Sequence, residues 1–345
     1  MRYAPILKAR KAELEALHTQ QIDCHVEPIF EIQHDDWDPV GSGKSIATDA
    51  ASFLDKIRRQ WLRPCFVDLI RIAHTQADRE AWWRYLDASL ALPGTPRPTL
   101  APVLTTGDGP NVLAAAEPLA QAAGKALVRI PAPCSDLSGL AHFLSICAQS
   151  LNLQSHRVEL LIDWADSTED YSLNDLEQMT QLIIAAIPES TPVIVAGTPN
   201  TSQCQNAGQW DFDRREWWLW LRLNAQERSV TFGDYALFPP PNPGRGRVRY
   251  GHLRYSHGDT LHVERQGGRG AADGFVDCCG NIRTLGILMN PSYSVGDQTI
   301  HGILARTVKA PGTGDKWRTI ALQHHLRLVC NQLSQPLTPP PPGTP

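Results

Sequence analysis

Short apolar runs recur along this chain, and most of them end in one ionisable residue and precede a segment with helical spacing. Buried strands are typically short apolar runs, whereas Leu14 and Leu17 after the first run have the three-residue spacing of a helix face. Eight strand-then-helix units predict a parallel sheet that closes into a barrel. The predicted strands cover 2–8, 25–32, 65–72, 99–105, 125–130, 157–163, 192–198 and 229–237. The predicted helices cover 10–18, 45–59, 77–91, 110–123, 135–151, 172–187 and, less clearly, 213–223.

The pattern changes after Phe238, where a Pro- and Gly-rich connector leads into two β-like runs at 247–255 and 259–266. Their spacing predicts a hairpin. A helix is then expected at about 271–286, and a last apolar segment covers 318–333. The fold class predicted is therefore α/β: a TIM-like (β/α)8 barrel with a C-terminal β-hairpin and helix elaboration. The domain boundaries predicted are 1–238 for the barrel, 239–333 for an elaboration packed on it, and 334–345 for a disordered Pro-rich tail.

Composition narrows the classes of protein that remain. The 345 residues are 42% hydrophobic and 20% charged, which is typical of a globular protein. A net charge of −4 without a Lys/Arg block argues against binding of a nucleic-acid backbone. No run approaches the length of a membrane span, and the N-terminus lacks the features of a secretory signal. The sequence thus predicts a soluble cytoplasmic protein without a membrane partner.

Eight cysteines are scattered through the chain without a C-x-x-C pair. This spacing suggests neither a zinc site nor a disulfide framework. We therefore expect reduced and mostly buried thiols.

Chemistry is expected where the strands end, because active sites of such barrels lie at that face. Three strand-end carboxylates, Glu31, Asp68 and Asp163, are candidate catalytic residues and candidate ligands for Mg²⁺ or Mn²⁺, which prefer oxygen donors. Lys8, Arg71 and Arg129 would bind a phosphate or carboxylate beside them. Alternation along a strand leaves a second interpretation open, in which some of these charges face the helices or neutralise one another inside the barrel.

Three further residues are weaker candidates. Asp234 and His324 would supply a general base if the last segment folds over the mouth. Adjacent residues cannot share one face of a strand or a helix, so only one of His324 and His325 would point inward. A structural histidine is the alternative interpretation of His324. Lys44, within Gly41–Ser45, resembles the end of a phosphate-binding loop and is a candidate anion ligand, but the first glycine of that motif is replaced by Asp38. A capped helix start is the alternative for this loop.

Segments at both ends of the chain resemble one known family. They are YAPILK at 3–8, Lys11, Glu13, Ala16-Leu17, EPIFEI at 27–32, FGDY at 232–235, Arg249-Tyr250, Trp317 and His324-His325. Together they are similar to the "beta protein" family, which is named for a tailed-phage protein and is largely uncharacterised. The resemblance implies a role in phage–host or mobile-element biology, with anti-phage defence as one such setting.

Two hypotheses of different classes remain open. In the first, the barrel binds or processes a small anionic ligand, phosphorylated or carboxylated, at its mouth, with a divalent ion as a candidate cofactor. In the second, it is a non-catalytic interaction protein that uses the barrel as a scaffold for a protein partner in phage–host conflict. Whether the chain is an enzyme stays undecided at this point.

Overall fold

The computed structural model describes residues 1–19, 24–32, 46–91, 97–134, 136–226, 229–238, 251–267, 271–311 and 313–336. Eight parallel strands form a closed barrel, because the last of them pairs with the first. They are β1 (Arg2–Leu7), β3 (Ile29–Glu31), β4 (Cys65–Asp68), β5 (Leu100–Thr105), β6 (Ala126–Pro131), β7 (Val158–Asp163), β8 (Val193–Gly197) and β10 (Val230–Asp234). The predicted (β/α)8 barrel is confirmed. The second predicted strand is interrupted at Glu27-Pro28, and its first part is β2 (His25–Val26).

Seven helices follow the first seven barrel strands and lie outside them. They are α1 (Lys11–Thr19), α2 (Ile46–Gln60), α3 (Gln76–Leu90), α4 (Pro110–Ala123), α5 (Leu140–Ser150), α6 (Leu173–Ala185) and α7 (Arg215–Asn224). Side chains alternate along each strand, so one set packs against these helices and the other fills the barrel. The interior set is a compact apolar cluster that includes Ile6, Phe66 and Leu161.

The last helix of the chain, α10 (Gly314–Ser334), completes the ring of helices around the barrel. Its Leu322, Leu326 and Val329 belong to the core between strands and helices. Thr319 donates a hydrogen bond to the carbonyl of Ala12 in α1. The segment that follows β10 therefore leaves the barrel and returns to it.

Most of a smaller unit is built by the segment between β10 and α10. An antiparallel sheet is formed by β11 (Gly251–His257), β12 (Thr260–Gln266) and β9 (Gly208–Asp213), and it packs with α8 (Ala271–Thr284) and α9 (Val295–Leu304). The hairpin is as predicted. The sequence did not predict β9, which comes from the connection after β8 and completes the sheet by pairing with β12. The smaller unit has its own apolar core, in which Phe275 and Trp317 stack 5.2 Å apart.

Two cysteines depart from the expectation of reduced thiols. Cys24 and Cys330 form a disulfide bond with Cα atoms 5.4 Å apart, although 306 positions separate them in the sequence. Closure of the barrel brings α10 beside the start of β2, and spacing along the chain cannot reveal such a contact. The other six cysteines are free, and five of those are buried. Within the described residues, no helix is long and apolar enough to cross a membrane.

Candidate functional site

Five charged residues face the barrel axis at the carboxyl ends of the strands. Each follows an interior apolar residue by two positions, and therefore points to the same side of its strand. These residues are Lys8, Glu31, Asp68, Arg129 and Asp163, and none exceeds 6% exposure. The layer of apolar side chains inside the barrel thus ends in a layer of charged ones, at the face where barrel enzymes carry their active sites.

Arg129 lies at the centre of this charged layer. Its Nη1 donates hydrogen bonds to Glu31 (2.8 Å) and Asp68 (2.5 Å), and its Nε donates to Asp163 (2.9 Å). Its Nη2 donates to Asp163 and to the Tyr235 hydroxyl, both at 2.5 Å. A guanidinium has five N–H donors, and these bonds use all of them. We call Arg129, Glu31, Asp68, Asp163 and Tyr235 the Arg129 cluster.

Two carboxylates of the cluster also accept hydrogen bonds from groups other than Arg129. Asp68 accepts a hydrogen bond from the backbone N–H of Ile70 at 2.8 Å, and Asp163 accepts one from that of Ala165 at 2.9 Å. The Tyr235 hydroxyl donates to Asp163 at 2.9 Å. Burial alone would lower the pKa of Arg129, but Asp163, Tyr235, Asp68 and Glu31 outweigh burial and raise its pKa well above the ordinary value. Arg129 is therefore a permanent cation fixed by the cluster.

Lys8 and Arg71 lie at the edge of the Arg129 cluster. The Arg71 Nε is 3.7 Å from Glu31, and its side chain is 34% exposed. Burial lowers the pKa of Lys8 to about 7; the charges of Arg318 and Arg10 act in the same direction, while Glu13 and Glu31 oppose it. Lys8 therefore exchanges a proton near neutral pH, whereas Arg71 offers a charged group to solvent.

Asp234 and His324 do not join this cluster. Asp234 precedes the inward-facing Tyr235 and points to the helix side, where it accepts hydrogen bonds from Tyr3 (2.6 Å) and from His325 (2.8 Å). Burial would raise the pKa of Asp234, but His325 and Arg214 lower it below its usual range. His324 bonds to Asp297 (2.9 Å) and to the carbonyl of Ser256 (2.7 Å). α10 therefore carries both histidines into buried polar contacts away from Arg129.

The hydrogen bonds of His325 link three elements of the structure. His325 bonds Asp234 through Nε2 and the Ser256 hydroxyl through Nδ1, at 2.8 and 2.7 Å. The groups resemble a Ser-His-Asp triad in composition, but none of the three residues exceeds 2% exposure. Burial lowers the pKa of His325, while the neighbouring Asp234 carboxylate opposes this shift. These hydrogen bonds join β10, α10 and β11 and hold the smaller unit against the barrel.

The carboxylates of the Arg129 cluster do not fit a divalent ion as they are arranged, because the Arg129 guanidinium occupies the position between them. In the described part of the chain, no group of three or more His, Cys, Asp or Glu side chains could hold a metal ion. The Mg²⁺ or Mn²⁺ site stays a prediction that would require Arg129 to move. Lys44 and the Gly41–Ser45 loop lie outside the described residues.

Sequence reasoning missed Tyr235, although a signal was present. Alternation along β10 places Tyr235 on the face opposite to Asp234, and hence inside the barrel. It also missed three arginines beside the mouth, Arg10, Arg254 and Arg318, which lie far apart in sequence. No local pattern could have grouped them.

Comparison with solved structures finds similar folds at low identity. The chain is similar to a type I 3-dehydroquinate dehydratase from Clostridium difficile, with 11% identity over 68% of this chain and 84% of that one, and a TM-score of 0.39. It is similar to the carboxyl transferase domain of Rhizobium etli pyruvate carboxylase, with 9% identity over 99% of this chain and 49% of that one, and a TM-score of 0.40. A triosephosphate isomerase from Bartonella henselae gives 10% identity, 68% and 92% coverage, and a TM-score of 0.29.

Sequence comparison is more decisive about the family. No curated protein matches the chain. The model of the family described as Beta protein, in contrast, matches residues 3–331, which include the barrel strands, the smaller unit and nearly all of α10. The chain therefore belongs to the Beta protein family.

Proposed function

We propose that this Beta-family barrel binds or processes a small anionic ligand, phosphorylated or carboxylated, at the barrel mouth. The observation that carries the proposal is the convergence of Lys8, Glu31, Asp68, Arg129 and Asp163 at one end of the barrel. Burial of charged groups costs stability, and natural proteins accept such costs mainly at functional sites. The setting we propose is phage–host or mobile-element biology, as the family resemblance implies.

The roles proposed for these residues follow from their contacts. Arg129 has no N–H donor left for a ligand, so its role is to position the three carboxylates. Lys8 and Arg71 are the groups that would contact the anion. An anion bound beside Lys8 would stabilise its charged form and raise its pKa, so binding would take up a proton near pH 7. Glu31, between Arg129 and Arg71, is the carboxylate best placed to exchange protons with the ligand.

The proposal is tested by capture of a ligand. The purified protein is incubated with a small-molecule extract, freed of unbound compounds and denatured, and the released anions are identified by mass spectrometry. We expect one enriched phosphorylated or carboxylated compound, reduced at least about tenfold in Lys8→Met and Arg71→Gln. Arg59→Gln, which alters only an exposed ion pair, should retain it. Undiminished capture by Lys8→Met and Arg71→Gln together would refute the proposed site.

The metal prediction is tested separately. The capture experiment is repeated with added Mg²⁺ or Mn²⁺, and again with a chelator. Binding that requires the ion would mean that Arg129 leaves the three carboxylates. Capture that the chelator does not change would reject the metal prediction while leaving the anion site intact.

One observation favours the second candidate, a non-catalytic scaffold. The Arg129 cluster satisfies all its own donors, as a structural ion network does. In this case the extract would yield no anion, and a tagged protein would recover a protein partner equally well with wild type and Lys8→Met. Loss of the partner in Lys8→Met would instead connect partner binding to the mouth.

A further inference from the structure

Beside the barrel mouth lies a pocket of about 200 Å³ between the start of α1, the start of α10 and strand β11. Arg10, Arg254 and Arg318 line it together with His252, Phe238 and Asp315. We call it the arginine pocket. Since a water molecule takes up roughly 30 Å³ in the liquid, the pocket has room for a phosphate-sized group.

We infer that the arginine pocket is a binding site for the phosphate group of a small phosphorylated molecule. The inference deepens the proposed function and rests on it for the rest of the ligand, which would extend into the barrel mouth. The affinity of the pocket for phosphate is a separate property and can be measured by itself.

The geometry brings two of the arginines together on one aromatic ring. The guanidinium carbons of Arg254 and Arg318 lie 5.1 and 4.7 Å from the centre of the Phe238 ring. Cation–π attraction offsets part of the cost of holding like charges near each other. Phe238 therefore fixes two planar cations at the pocket wall, where bidentate contacts to a phosphate become possible.

The two guanidinium groups differ in what else they contact. Arg254 is anchored, because it donates to the carbonyl of Leu237 and to the Thr201 hydroxyl, the latter at 2.7 Å. The Nε of Arg318 is buried and has no hydrogen-bond partner among the described residues. A buried donor without a partner costs stability, and a ligand oxygen would remove that cost.

Among the described residues that line the pocket, three carry guanidinium groups and one, Asp315, carries a carboxylate. Glu13 is a second carboxylate that acts on Arg318, and the start of α10 adds the positive end of its helix dipole. Burial and the charges of Arg318 and Arg265 lower the pKa of Arg254 to about 10. Burial and the charges of Arg254, Arg265 and Arg318 lower the pKa of His252 well below its ordinary value. The surroundings therefore resist further positive charge, which is the condition that an anion relieves.

Phosphate fits this imbalance better than carboxylate does. A phosphate monoester carries about −1.5 to −2 charges near pH 7, whereas a carboxylate carries one. Arg10, Arg254 and Arg318 outnumber the one carboxylate, Asp315, among the described residues that line the pocket, and three guanidinium groups offer more donors than one carboxylate can accept from. A recess of this size in a chain of net charge −4 favours a small molecule over a nucleic-acid backbone.

Lys8 connects the arginine pocket to the mouth. Its pKa is lowered by Arg318 and Arg10 and raised by Glu31, so it lies within electrostatic reach of both sites. A molecule with its phosphate in the pocket would extend past Lys8 toward Glu31.

The inference is tested by calorimetric titration with inorganic phosphate, and with acetate at equal ionic strength. We expect wild type to bind phosphate at least about tenfold more tightly than acetate. Arg318→Gln and Arg10→Gln should each weaken phosphate binding about tenfold or more, and Arg318→Lys should weaken it less, since the charge is kept. Arg283→Gln, an exposed arginine of α8, is the matched control and should stay within about twofold of wild type. Unfolding midpoints show whether each variant is folded.

The inference is overturned if phosphate does not bind, if acetate binds equally well, or if both Arg318→Gln and Arg10→Gln leave binding unchanged. Its failure can be told apart from failure of the proposed function. Phosphate binding that depends on Arg318, with capture that does not depend on Lys8 or Arg71, would establish the pocket and reject the mouth site. Capture that depends on Lys8 and Arg71, without phosphate binding, would support the mouth site and reject the arginine pocket.

Discussion

The Arg129 cluster and the arginine pocket place the same side chain in opposite surroundings. Arg129 donates all its N–H groups to three carboxylates and a tyrosine. Arg254 and Arg318 share one aromatic ring, and the charges of Arg318 and Arg265 lower the pKa of Arg254. An arginine whose donors are all used is part of the fold, whereas Arg318, with a buried Nε that has no hydrogen-bond partner among the described residues, has a donor available for a ligand. The variants below test this difference, beginning with the largest expected effect.

Removal of Arg129 should be the most damaging change. Arg129→Met leaves three buried carboxylates without their common partner, and loss of one member of a buried ion network costs about 3–5 kcal/mol. Urea unfolding measures this loss. Arg59→Met, which removes an exposed pair with Asp55, should cost less than about 1 kcal/mol. Equal losses in the two variants would show that the Arg129 cluster contributes no more to folding than a surface ion pair.

Lys8 lies between the two regions and should make stability depend on pH. Its pKa of about 7 is below the ordinary 10.5, so between these values the unfolded chain holds a proton that the folded protein has released. The free energy of unfolding should therefore rise with pH over this range. Lys8→Met should be more stable than wild type below pH 7, by on the order of 3–5 kcal/mol, and the difference should become small near pH 10 and vanish above the ordinary pKa of 10.5. A difference that is the same at pH 6 and pH 10 would contradict the lowered pKa.

Removal of Arg318 should have the smallest effect on the free protein. Arg318→Met deletes a charge that is repelled by Arg10 and attracted by Glu13 and Asp315, so we expect the free energy of unfolding to change by less than about 1 kcal/mol. Raising the salt concentration should change the stability of wild type and of Arg318→Met by similar amounts, because salt screens the attractions and the repulsion at Arg318 together. Urea unfolding at two ionic strengths measures both quantities. A loss of unfolding free energy as large as that of Arg129→Met would mean that Arg318 stabilises the fold. The Arg129 cluster and the arginine pocket would then not differ in this respect.

The architecture could be predicted from the sequence because the signal is local. Period-two alternation in the strands and three- to four-residue spacing in the helices are fixed by backbone geometry. The same alternation left open whether Glu31, Asp68, Arg129 and Asp163 face the barrel axis or the helices, and the structure places all four toward the axis. The sequence could not show whether these charges would hold a ligand or one another, because both outcomes use the same residues at the same positions.

Other features depended on contacts between distant segments. β9 joins a sheet whose other strands are about 40 to 50 residues away, Cys24 pairs with Cys330, and Asp234 meets a histidine of α10. Pairings of this kind are determined by how the barrel closes and not by any local pattern.

The sequence by itself determined the eight strand-and-helix units, the closed barrel and the end at which its charged residues lie, since short-range periodicity encodes all three. The tertiary structure alone decided that Arg129 is saturated by three carboxylates, and that Arg10, Arg254 and Arg318 form one pocket. Electrostatic energy depends on the distance between charges in space, and that distance is set only when the chain has folded.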